Sequence, residues 1–369
     1  ASLRVLAMRI GFDRQTFTIQ KFGGISRYFT DLYLGLLEEP KIDAELLFNH
    51  HQNAYLEDGG VGKTMHPLAA TFYTHAMLKG NFRVPLAKNQ DIHHSTYYLG
   101  RPQKRNQSLK LVSTLYDMIP ELLPKFFKKN PHANKLEWLE ASDLIISISD
   151  SSASDLAYFR PDLARRIRRI HLYSGFTCQS PHTKPLKMKG NISDYVLFIG
   201  NRGGYKNATM LIRAFAASNP NNHGHQLIFA GGGTFNQQEL ATIDQLRISN
   251  YVKQLSVNDA ELWHLYLNTK AVLVPSMAEG FSLPLVEGLI ADVPVVCSDI
   301  PVHREVAKTF ATLVNPLQHN DWENILNSIT SLKNPTELLG KDSFNNLCEY
   351  FSKQRMVQEH VQAYSDLTA

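Results

Sequence analysis

The sequence has no apolar run long enough to cross a bilayer. Its longest apolar stretches, such as residues 143–148 and 271–275, fall far short of the ~20 residues that a membrane-spanning helix needs. The N-terminus also lacks a basic segment followed by an apolar core and a small-residue cleavage site. These absences favour a cytoplasmic protein.

Metal-binding patterns are missing as well. The three cysteines are widely separated and form no Cys-x-x-Cys pair, so they indicate no cysteine zinc site. None of the fifteen histidines shows the His-Glu-x-x-His spacing of a helical metal site, and no Asp-x-Asp sequence occurs. The sequence therefore predicts no metal centre.

Strong charge of either sign is absent, because the net charge is only +4. The basic side chains concentrate in residues 125–129 and 160–169, where cations alternate with apolar residues. Such clusters suit an anionic membrane surface, and the alternative is a solvated basic face with Ile167 and Ile170 in the core. They lack the motifs of a known nucleic-acid reader, so we expect no nucleic-acid partner.

Length and apolar content predict two α/β domains. A chain of 369 residues is too long for one ordinary core, and 43% hydrophobic with 20% charged residues is typical of a globular protein. Strand-like and helix-like segments alternate in both halves, which predicts parallel, doubly wound sheets. The predicted strands are residues 4–10, 44–48, 110–115, 144–149, 195–199, 226–230, 271–274 and 293–297, and the predicted helices are residues 25–37, 151–158, 209–217, 237–247 and 342–367.

A linker separates the two halves. Residues 179–193 are rich in Ser, Pro, Thr, Lys and Gly and poor in apolar side chains. We therefore predict a first domain of residues 1–185, a second domain of residues 186–345, and a C-terminal helix of residues 346–369 that packs back on the first domain.

The strongest motif covers residues 274–288, between a buried-looking strand and a helix. Pro284 suits the first turn of that helix, whose N-terminal N–H groups favour an anion. Glu279 lies in the loop and Glu287 about one turn inside the helix, so both carboxylates can face one ligand. Glu279 would accept hydrogen bonds from sugar hydroxyls and Glu287 would hold a ribose. The alternative is that Glu287 only complements the helix dipole and Glu279 is a solvated loop charge.

Other segments also place polar groups at strand ends or helix starts. Residues 195–207 are a strand followed by a glycine-rich turn with Arg202 and Lys206, which suits a diphosphate, although a solvated basic turn fits the same pattern. Gly23 and Gly24 open a helix, either as a ligand loop or as an ordinary one. Strand ends carry the remaining candidates, Tyr116, Asp117 and His94, although an isolated histidine is more often structural.

These motifs together resemble glycosyltransferase family 4. In that family two glutamates separated by seven residues bracket a Gly-Phe-Gly/Ser-Leu/Ile-Pro loop, as Glu279 and Glu287 do here. Lys206, followed by asparagine, matches a phosphate-binding lysine. Four positions depart from the family pattern. Asn201 stands directly after the glycine where the family often has arginine, and Tyr116 stands where it usually has histidine. Gly288 and Asp292 stand where it usually has alanine and glycine.

The resemblance implies an α/β protein of GT-B fold, with two facing Rossmann-like doubly wound domains and a cleft between them. It implies a retaining glycosyltransferase that moves a hexose from a nucleotide-diphosphate sugar to a glycan or lipid-linked glycan in cell-surface polysaccharide synthesis, without metal or cofactor. GDP-mannose is the first expectation for the donor and a UDP-sugar the second. The implied catalytic residues are Glu279, Lys206, Arg202 and Asp117, the donor-binding residues are Gly23, Gly24, Gly200, Arg202, Lys206, Val257, Glu279, Gly280, Phe281, Ser282, Leu283 and Glu287, and the acceptor-side residues are Tyr116, Asp117 and His94.

Two other functions remain open at this point. A nucleotide-sugar epimerase of the same fold would release free nucleotide without an acceptor. A catalytically silent scaffold would bind sugar nucleotides or a partner protein, although the intact Glu279, Lys206 and Glu287 argue against it.

Overall fold

The computed structural model describes residues 7–66, 82–177, 194–220 and 224–369, together with a few isolated positions between them. The chain divides into two units, the first made of residues 1–172 and 353–369 and the second of residues 173–352. The predicted domain boundary between residues 185 and 186 lies outside the described residues.

The first unit is built on a parallel sheet. Its strands β1, β2, β6, β8, β9 and β10 lie in the order β10-β9-β8-β6-β1-β2, and every neighbouring pair is parallel. The strands are β1 Met8–Phe12, β2 Ile42–Leu46, β3 His50–His51, β4 Lys63–Thr64, β5 Arg83–Val84, β6 Ile92–Ser95, β7 Arg101–Pro102, β8 Lys110–Leu115, β9 Leu144–Ser147 and β10 Ile167–Arg169, of which β3 with β4 and β5 with β7 form separate pairs. The helices are α1 Gln15–Ile19, α2 Gly24–Leu37, α3 Ala54–Asp58, α4 Ile119–Leu122, α5 Lys135–Ala141 and α6 Asp150–Phe159, with 3-10 turns at Pro124–Phe126 and Pro161–Arg166.

The second unit repeats this plan. Its six parallel strands lie in the order β13-β12-β11-β14-β15-β16. The strands are β11 Tyr195–Ile199, β12 Gln226–Ala230, β13 Val252–Leu255, β14 Ala271–Val274, β15 Val295–Ser298 and β16 Thr312–Val314. The helices are α7 Ala208–Ala217, α8 Gln237–Gln245, α9 Asp259–Asn268, α10 Leu283–Ile290, α11 Pro301–Ala307, α12 His319–Asn327, α13 Pro335–Leu339 and α14 Lys341–Tyr350, with 3-10 turns at Gly204–Lys206 and Ile329–Ser331.

Local sequence explains much of this pattern. The central strands read as short apolar runs because parallel strands are covered on both faces, and all four residues of β14 are buried. Helix starts carry oxygen-bearing caps: the side chains of Asn236 and Asn258 accept from the third helical N–H of α8 and α9 and complete capping boxes. The prediction of two doubly wound parallel sheets is confirmed.

The strand order defines one switch point in each sheet. In the first unit the chain leaves β1 for β2 on one side and reaches β6 on the other, and in the second unit β12 and β14 flank β11 in the same way. Loops that leave such neighbouring strands in opposite directions open a crevice at the carboxyl ends of the strands, where α/β proteins bind ligands. The crevices of the two units therefore lie beyond β1 and β6, and beyond β11 and β14.

The last helix, α15 Lys353–Thr368, belongs to the first unit and packs on α2. A side chain at Gly35 of α2 would meet Val357 at 2.5 Å, so only glycine permits this close approach. The hydroxyl of Tyr28 donates to Nε2 of His360 (2.7 Å), whose Nδ1 donates to the carbonyl of Met356 (2.7 Å). Burial lowers the pKa of His360 to about 4, so the neutral ring joins the two helices at neutral pH.

Across the described residues, no helix combines the length and the apolar character that a membrane span requires.

We predict that acid weakens the first unit through His360. Because its folded pKa of about 4 lies below the unfolded value of 6.5, the unfolded chain binds the extra proton between these pH values. Stability is therefore full above pH 6.5 and falls as the pH is lowered towards 4, by up to about 3 kcal/mol. Urea unfolding of the full chain at pH 7 and pH 4.5 measures this, and His360→Gln should show a smaller loss than wild type.

The exposed His50 offers the matched control, and His50→Gln should retain the wild-type loss. Equal pH sensitivity in wild type and His360→Gln would contradict the prediction.

Candidate functional site

Lys206 and Glu279 form an ion pair at the switch point of the second sheet. Lys206 ends the 3-10 turn after β11, and Glu279 lies in the loop after β14. Nζ of Lys206 lies 2.7 Å from both carboxylate oxygens of Glu279. The hydroxyl of Ser276 donates to Oε1 of Glu279 (2.7 Å). The side chains are 27% and 9% exposed, so the cation remains within reach of a ligand.

Hydrogen bonds to backbone carbonyls hold the loop after β11 against the loop after β14. Asn207 adopts a left-handed conformation (φ 61°), which asparagine tolerates better than most residues. Its Nδ2 donates to the carbonyls of Pro275 (3.1 Å) and Pro316 (2.9 Å). The N–H of Met277 donates to the carbonyl of Tyr205 (2.7 Å). The ion pair is thus preorganised by its own loops.

The ion pair fixes the charge state of Glu279. Burial raises the pKa of this carboxyl, but the positive charge and hydrogen bond of Lys206, with the hydrogen bond of Ser276, outweigh it and bring the pKa below its usual value. Glu279 is therefore ionised at neutral pH and accepts hydrogen bonds only. An anionic ligand has to compete with it for Lys206.

The segment that follows Glu279 leads into α10. Ser282 is the residue before the helix, with φ 79°, and Pro284 lies in the first turn as predicted from the sequence. Phe281 is buried against Phe351, with ring centroids 6.1 Å apart. Gly280 and Leu283, the other predicted donor-binding residues of this loop, are both partly buried.

Glu287 is anchored by a residue that sequence reasoning missed. The hydroxyl of Tyr266, on α9, donates to Oε2 of Glu287 (2.7 Å), and both side chains are buried. Burial and the adjacent carboxylate raise the pKa of Tyr266 well above its usual value, so the tyrosine stays a donor. No sequence signal links α9 to α10, because the contact depends on how the two helices pack.

The side chain of Arg202 donates all its hydrogen bonds to other residues of the second unit. Its Nε donates to Glu239 (2.8 Å), one terminal nitrogen donates to the carbonyls of Gly231 (3.2 Å) and Gly233 (3.0 Å), and the other donates to Thr234 (2.9 Å) and Glu239 (3.3 Å). The side chain is 4% exposed. A guanidinium has five N–H donors, and all five have acceptors within the unit.

These contacts favour a structural role for Arg202, and its predicted contact with the donor diphosphate stays a prediction. Arg202 holds the glycine-rich turn after β12, where a side chain at Gly232 would lie 2.4 Å from the carbonyl oxygen of Gly200. Gly200 itself has φ 102°, a conformation that glycine adopts freely. Val257, another predicted donor contact, is partly buried just after β13 at the same edge of the sheet.

The predicted site residues of the first unit differ from one another in burial and in hydrogen-bond partners. Gly23 and Gly24 start α2, and the N–H of Ser26 donates to the side chain of Gln20 beside them (3.1 Å). Tyr116 is buried and donates to the carbonyl of Thr96 (3.0 Å).

Of the two other acceptor-side candidates, only Asp117 is partly exposed, at the end of β8, where it accepts from the N–H of Ile119 (2.9 Å). His94 is fully buried. One ring nitrogen contacts the hydroxyl of Tyr364 (2.7 Å) and the other that of Thr114 (2.9 Å). Burial lowers its pKa well below the usual value. This placement favours a structural role for His94 over the predicted acceptor contact.

The crevice of the first sheet is filled by a network around Asp13. Its carboxylate accepts from Thr96 Oγ1 (2.6 Å) and from the side chain of Gln15 (2.8 Å), and His93 lies 3.4 Å away. Burial raises the pKa of Asp13, but His93, Thr96 and Gln15 outweigh it and lower the value. This network ties the loop after β1 to the loop after β6, and no motif of the sequence pointed to it.

The two basic clusters differ in what their cations contact. In residues 160–169, Arg160 pairs with Glu140 and with Asp162, and Arg168 pairs with Asp366 (2.5 Å). In residues 125–129, Lys125, Lys128 and Lys129 are exposed beside Leu122, and the described structure shows no ion pair for them. Among the described residues, the three lysines of residues 125–129 therefore present positive charge without an ion pair, whereas the cluster of residues 160–169 is partly compensated.

We predict that Arg202→Met destabilises the second unit by about 3 kcal/mol, because Glu239 and three backbone carbonyls lose their donors. Thermal unfolding measures the loss. The exposed Arg213 of α7 is the matched control, and Arg213→Met should change stability by less than about 0.5 kcal/mol. A folded Arg202→Met protein of wild-type stability that no longer bound nucleotide would restore the phosphate-binding role.

Comparison with known proteins shows what the second unit and the whole chain are similar to. Residues 187–345 match the family model described as "Glycosyl transferases group 1". The chain is 29% identical over 122 residues to the O-antigen chain mannosyltransferase RfbU of Salmonella typhimurium, covering 33% of each chain. It is 26% identical over 267 residues to the O-antigen chain mannosyltransferase B of Escherichia coli, covering 64% of this chain and 68% of the relative. The match therefore spans a third of the first relative and about two thirds of the second.

The fold extends the likeness beyond the second unit. The structure of HepE from Anabaena, solved with UDP and glucose, superposes with a TM-score of 0.69 and 18% identity over 97% of this chain and 100% of that one. At this identity the likeness shows the fold alone. Residues 187–345 therefore match the glycosyl transferases group 1 model, and the chain has the GT-B fold.

Proposed function

We propose that the chain transfers a mannosyl residue from GDP-mannose to a glycan or lipid-linked glycan during synthesis of a cell-surface polysaccharide such as O-antigen. The observation that carries the proposal is the Lys206–Glu279 pair at the switch point of the group 1 domain. The mannosyl donor is supported by the two relatives, which are both O-antigen chain mannosyltransferases. A UDP-sugar is the second candidate, since the HepE structure holds UDP.

The site chemistry starts from the leaving group. As the bond between sugar and diphosphate breaks, negative charge grows on the diphosphate, and a fixed cation lowers the energy of that state. Lys206 would make this contact. Because it is already paired with Glu279, the diphosphate would take over Lys206 and free the oxygens of Glu279. The transfer in this proposal needs no metal, because Lys206 supplies the positive charge.

Glu279 and Glu287 would hold the two hydroxyl-bearing parts of the donor. The ionised Glu279 accepts hydrogen bonds and would orient the hexose. Glu287, fixed by Tyr266, would accept from the ribose. Transfer would retain the anomeric configuration through an oxocarbenium-like transition state, with an oxygen of the departing phosphate taking the acceptor's proton. Asp117, partly exposed at the end of β8, would accept from an acceptor hydroxyl.

Product analysis separates this proposal from its two rivals. A transferase forms a new glycoside only when acceptor is present. An epimerase converts the nucleotide sugar and releases nucleotide without acceptor. A silent scaffold binds the nucleotide sugar and leaves it unchanged.

We predict that one nucleotide family stabilises the protein and that Lys206→Met weakens this effect. GDP, UDP, ADP and their sugars are tested by thermal shift with EDTA present, and each shift is taken relative to the same variant without ligand. GDP and GDP-mannose should stabilise wild type. Lys206→Met should lose roughly 10- to 100-fold in nucleotide affinity, because it removes a charge-assisted hydrogen bond to phosphate.

The exposed Lys333 supplies the matched control, and Lys333→Met should bind like wild type. No shift with any nucleotide would refute the donor site, and a shift that appears only when Mg²⁺ replaces EDTA would refute metal independence.

The exposed cluster of residues 125–129 motivates a second part of the proposal, a peripheral contact with an anionic membrane. We predict that wild type sediments with vesicles containing anionic lipid and not with zwitterionic vesicles. Each lysine near an anionic surface contributes about 1 kcal/mol, so the triple variant Lys125→Gln, Lys128→Gln, Lys129→Gln should bind roughly 100-fold more weakly.

A triple variant of three other exposed lysines of the first unit, Lys63→Gln, Lys88→Gln, Lys104→Gln, removes the same charge elsewhere. Equal loss in the two triple variants would assign the binding to net charge and contradict the local contact.

A further inference from the structure

Three buried polar atoms at the carboxyl edge of the second sheet have no hydrogen-bond partner among the described residues: Oγ of Ser282, Oγ of Ser298 and Nε2 of His303. Leaving a buried polar group unpaired destabilises a folded protein, so each such group calls for an explanation. Ser282 lies in the loop segment after β14, Ser298 ends β15, and His303 lies in α11, which follows β15. Because β14 and β15 are neighbours, these residues share the edge that carries Glu279.

His303 is the most constrained of the three. Its side chain has no solvent exposure. Its Nδ1 lies 2.8 Å from the carbonyl oxygen of Ser298, which can only accept, so Nδ1 carries the hydrogen. In the neutral ring Nε2 is then a lone-pair acceptor that requires an O–H or N–H donor.

The neutral form is the one that the surroundings favour. Burial lowers the pKa of His303, the charge of Glu279 and the carbonyl of Ser298 act in the opposite direction, and the charge of Lys206 lowers it further. His303 follows β15, the strand next to β14, whose carboxyl-end loop carries Glu279. The edge of the sheet therefore offers one cation and two acceptors, the carboxylate of Glu279 and Nε2 of His303.

A donor diphosphate cannot satisfy Nε2, because at neutral pH its oxygens only accept hydrogen bonds. A sugar hydroxyl can, since it donates to the ring nitrogen while accepting from another group. The hexose attached to the diphosphate is the part of a nucleotide sugar that carries such hydroxyls next to the group that Lys206 would hold.

We infer that Nε2 of His303 accepts a hydrogen bond from a hydroxyl of the transferred hexose, which makes His303 a sugar-selecting residue beside Glu279. This inference rests on the proposed function and adds to it a residue that binds one hydroxyl of the sugar. Lys206 then serves the diphosphate and His303 the sugar, so the two can be separated by experiment.

The experiment compares the nucleoside diphosphate with its sugar conjugate. Dissociation constants of GDP and GDP-mannose are measured by calorimetry for wild type, His303→Leu and His303→Gln. The dissociation constant of GDP divided by that of GDP-mannose gives the contribution of the sugar to affinity. In His303→Leu this ratio should fall about tenfold, the size of one hydrogen bond, while the affinity for GDP stays unchanged. His303→Gln, which restores a polar group, should recover part of the ratio. His319→Leu, on the surface of α12, is the matched control and should leave the ratio as in wild type.

Monodeoxy analogues of GDP-mannose identify the hydroxyl. One analogue should bind wild type about tenfold more weakly than GDP-mannose and bind His303→Leu with no further loss. If every analogue loses the same affinity in both proteins, Nε2 does not contact the sugar and the inference is overturned. Failure of wild type to bind any nucleotide sugar would overturn the proposed function instead, before His303 is tested.

A measurement on wild type covers the case in which His303→Leu does not fold. The ¹⁵N resonance of Nε2, assigned by its absence in His303→Gln, should move when GDP-mannose is added and not when GDP is added. A resonance that responds equally to both ligands would contradict the contact with the sugar.

Discussion

The Lys206–Glu279 pair is the contact on which the rest of the site depends. Burying two opposite charges costs desolvation energy. This cost is offset because each side chain is held by its loop and because Ser276 donates a further hydrogen bond to Glu279. The loops in turn are fixed by strand order, since β11 and β14 are neighbours although 73 residues separate Lys206 from Glu279. Any ligand that takes over Lys206 changes the charge balance of Glu279 and of His303 at the same time.

Part of this was predictable from the sequence. Short apolar strands alternating with helical segments are typical of parallel sheets, and that pattern is local, so the two doubly wound sheets followed from it. The helix start after the loop of residues 279–284 was also predictable, because a proline is common in the first turn of a helix. Glu279 and Lys206 were named as residues of one site because each belongs to a recognisable motif. Their direct contact required the strand order.

The remaining features depend on packing that no local pattern records. Arg202 and Lys206 lie in one glycine-rich turn and looked alike as cations, yet Arg202 points into the unit, where three carbonyls and Glu239 use all its donors. His94 looked like a strand-end ligand, but α15 covers it, and the residue that does so lies 270 positions away. Tyr266 and His303 belong to helices without a motif, and their contacts with Glu287 and with the carbonyl of Ser298 depend on how those helices pack.

The path of the chain through the two units sets an order for its synthesis. In the sequence, the second unit is inserted between the two parts of the first, so α15 is made after it. Until residues 360 and 364 have left the ribosome, Tyr28 and His94 lack the partners that they have in the folded protein. Domains generally fold as they emerge, so the sheet of the first unit can form before the second unit is made, while the face of α2 that α15 covers stays exposed until α15 follows. A nascent chain stopped at residue 352 would therefore carry both sheets, but Tyr28 and His94 would still lack their partners on α15.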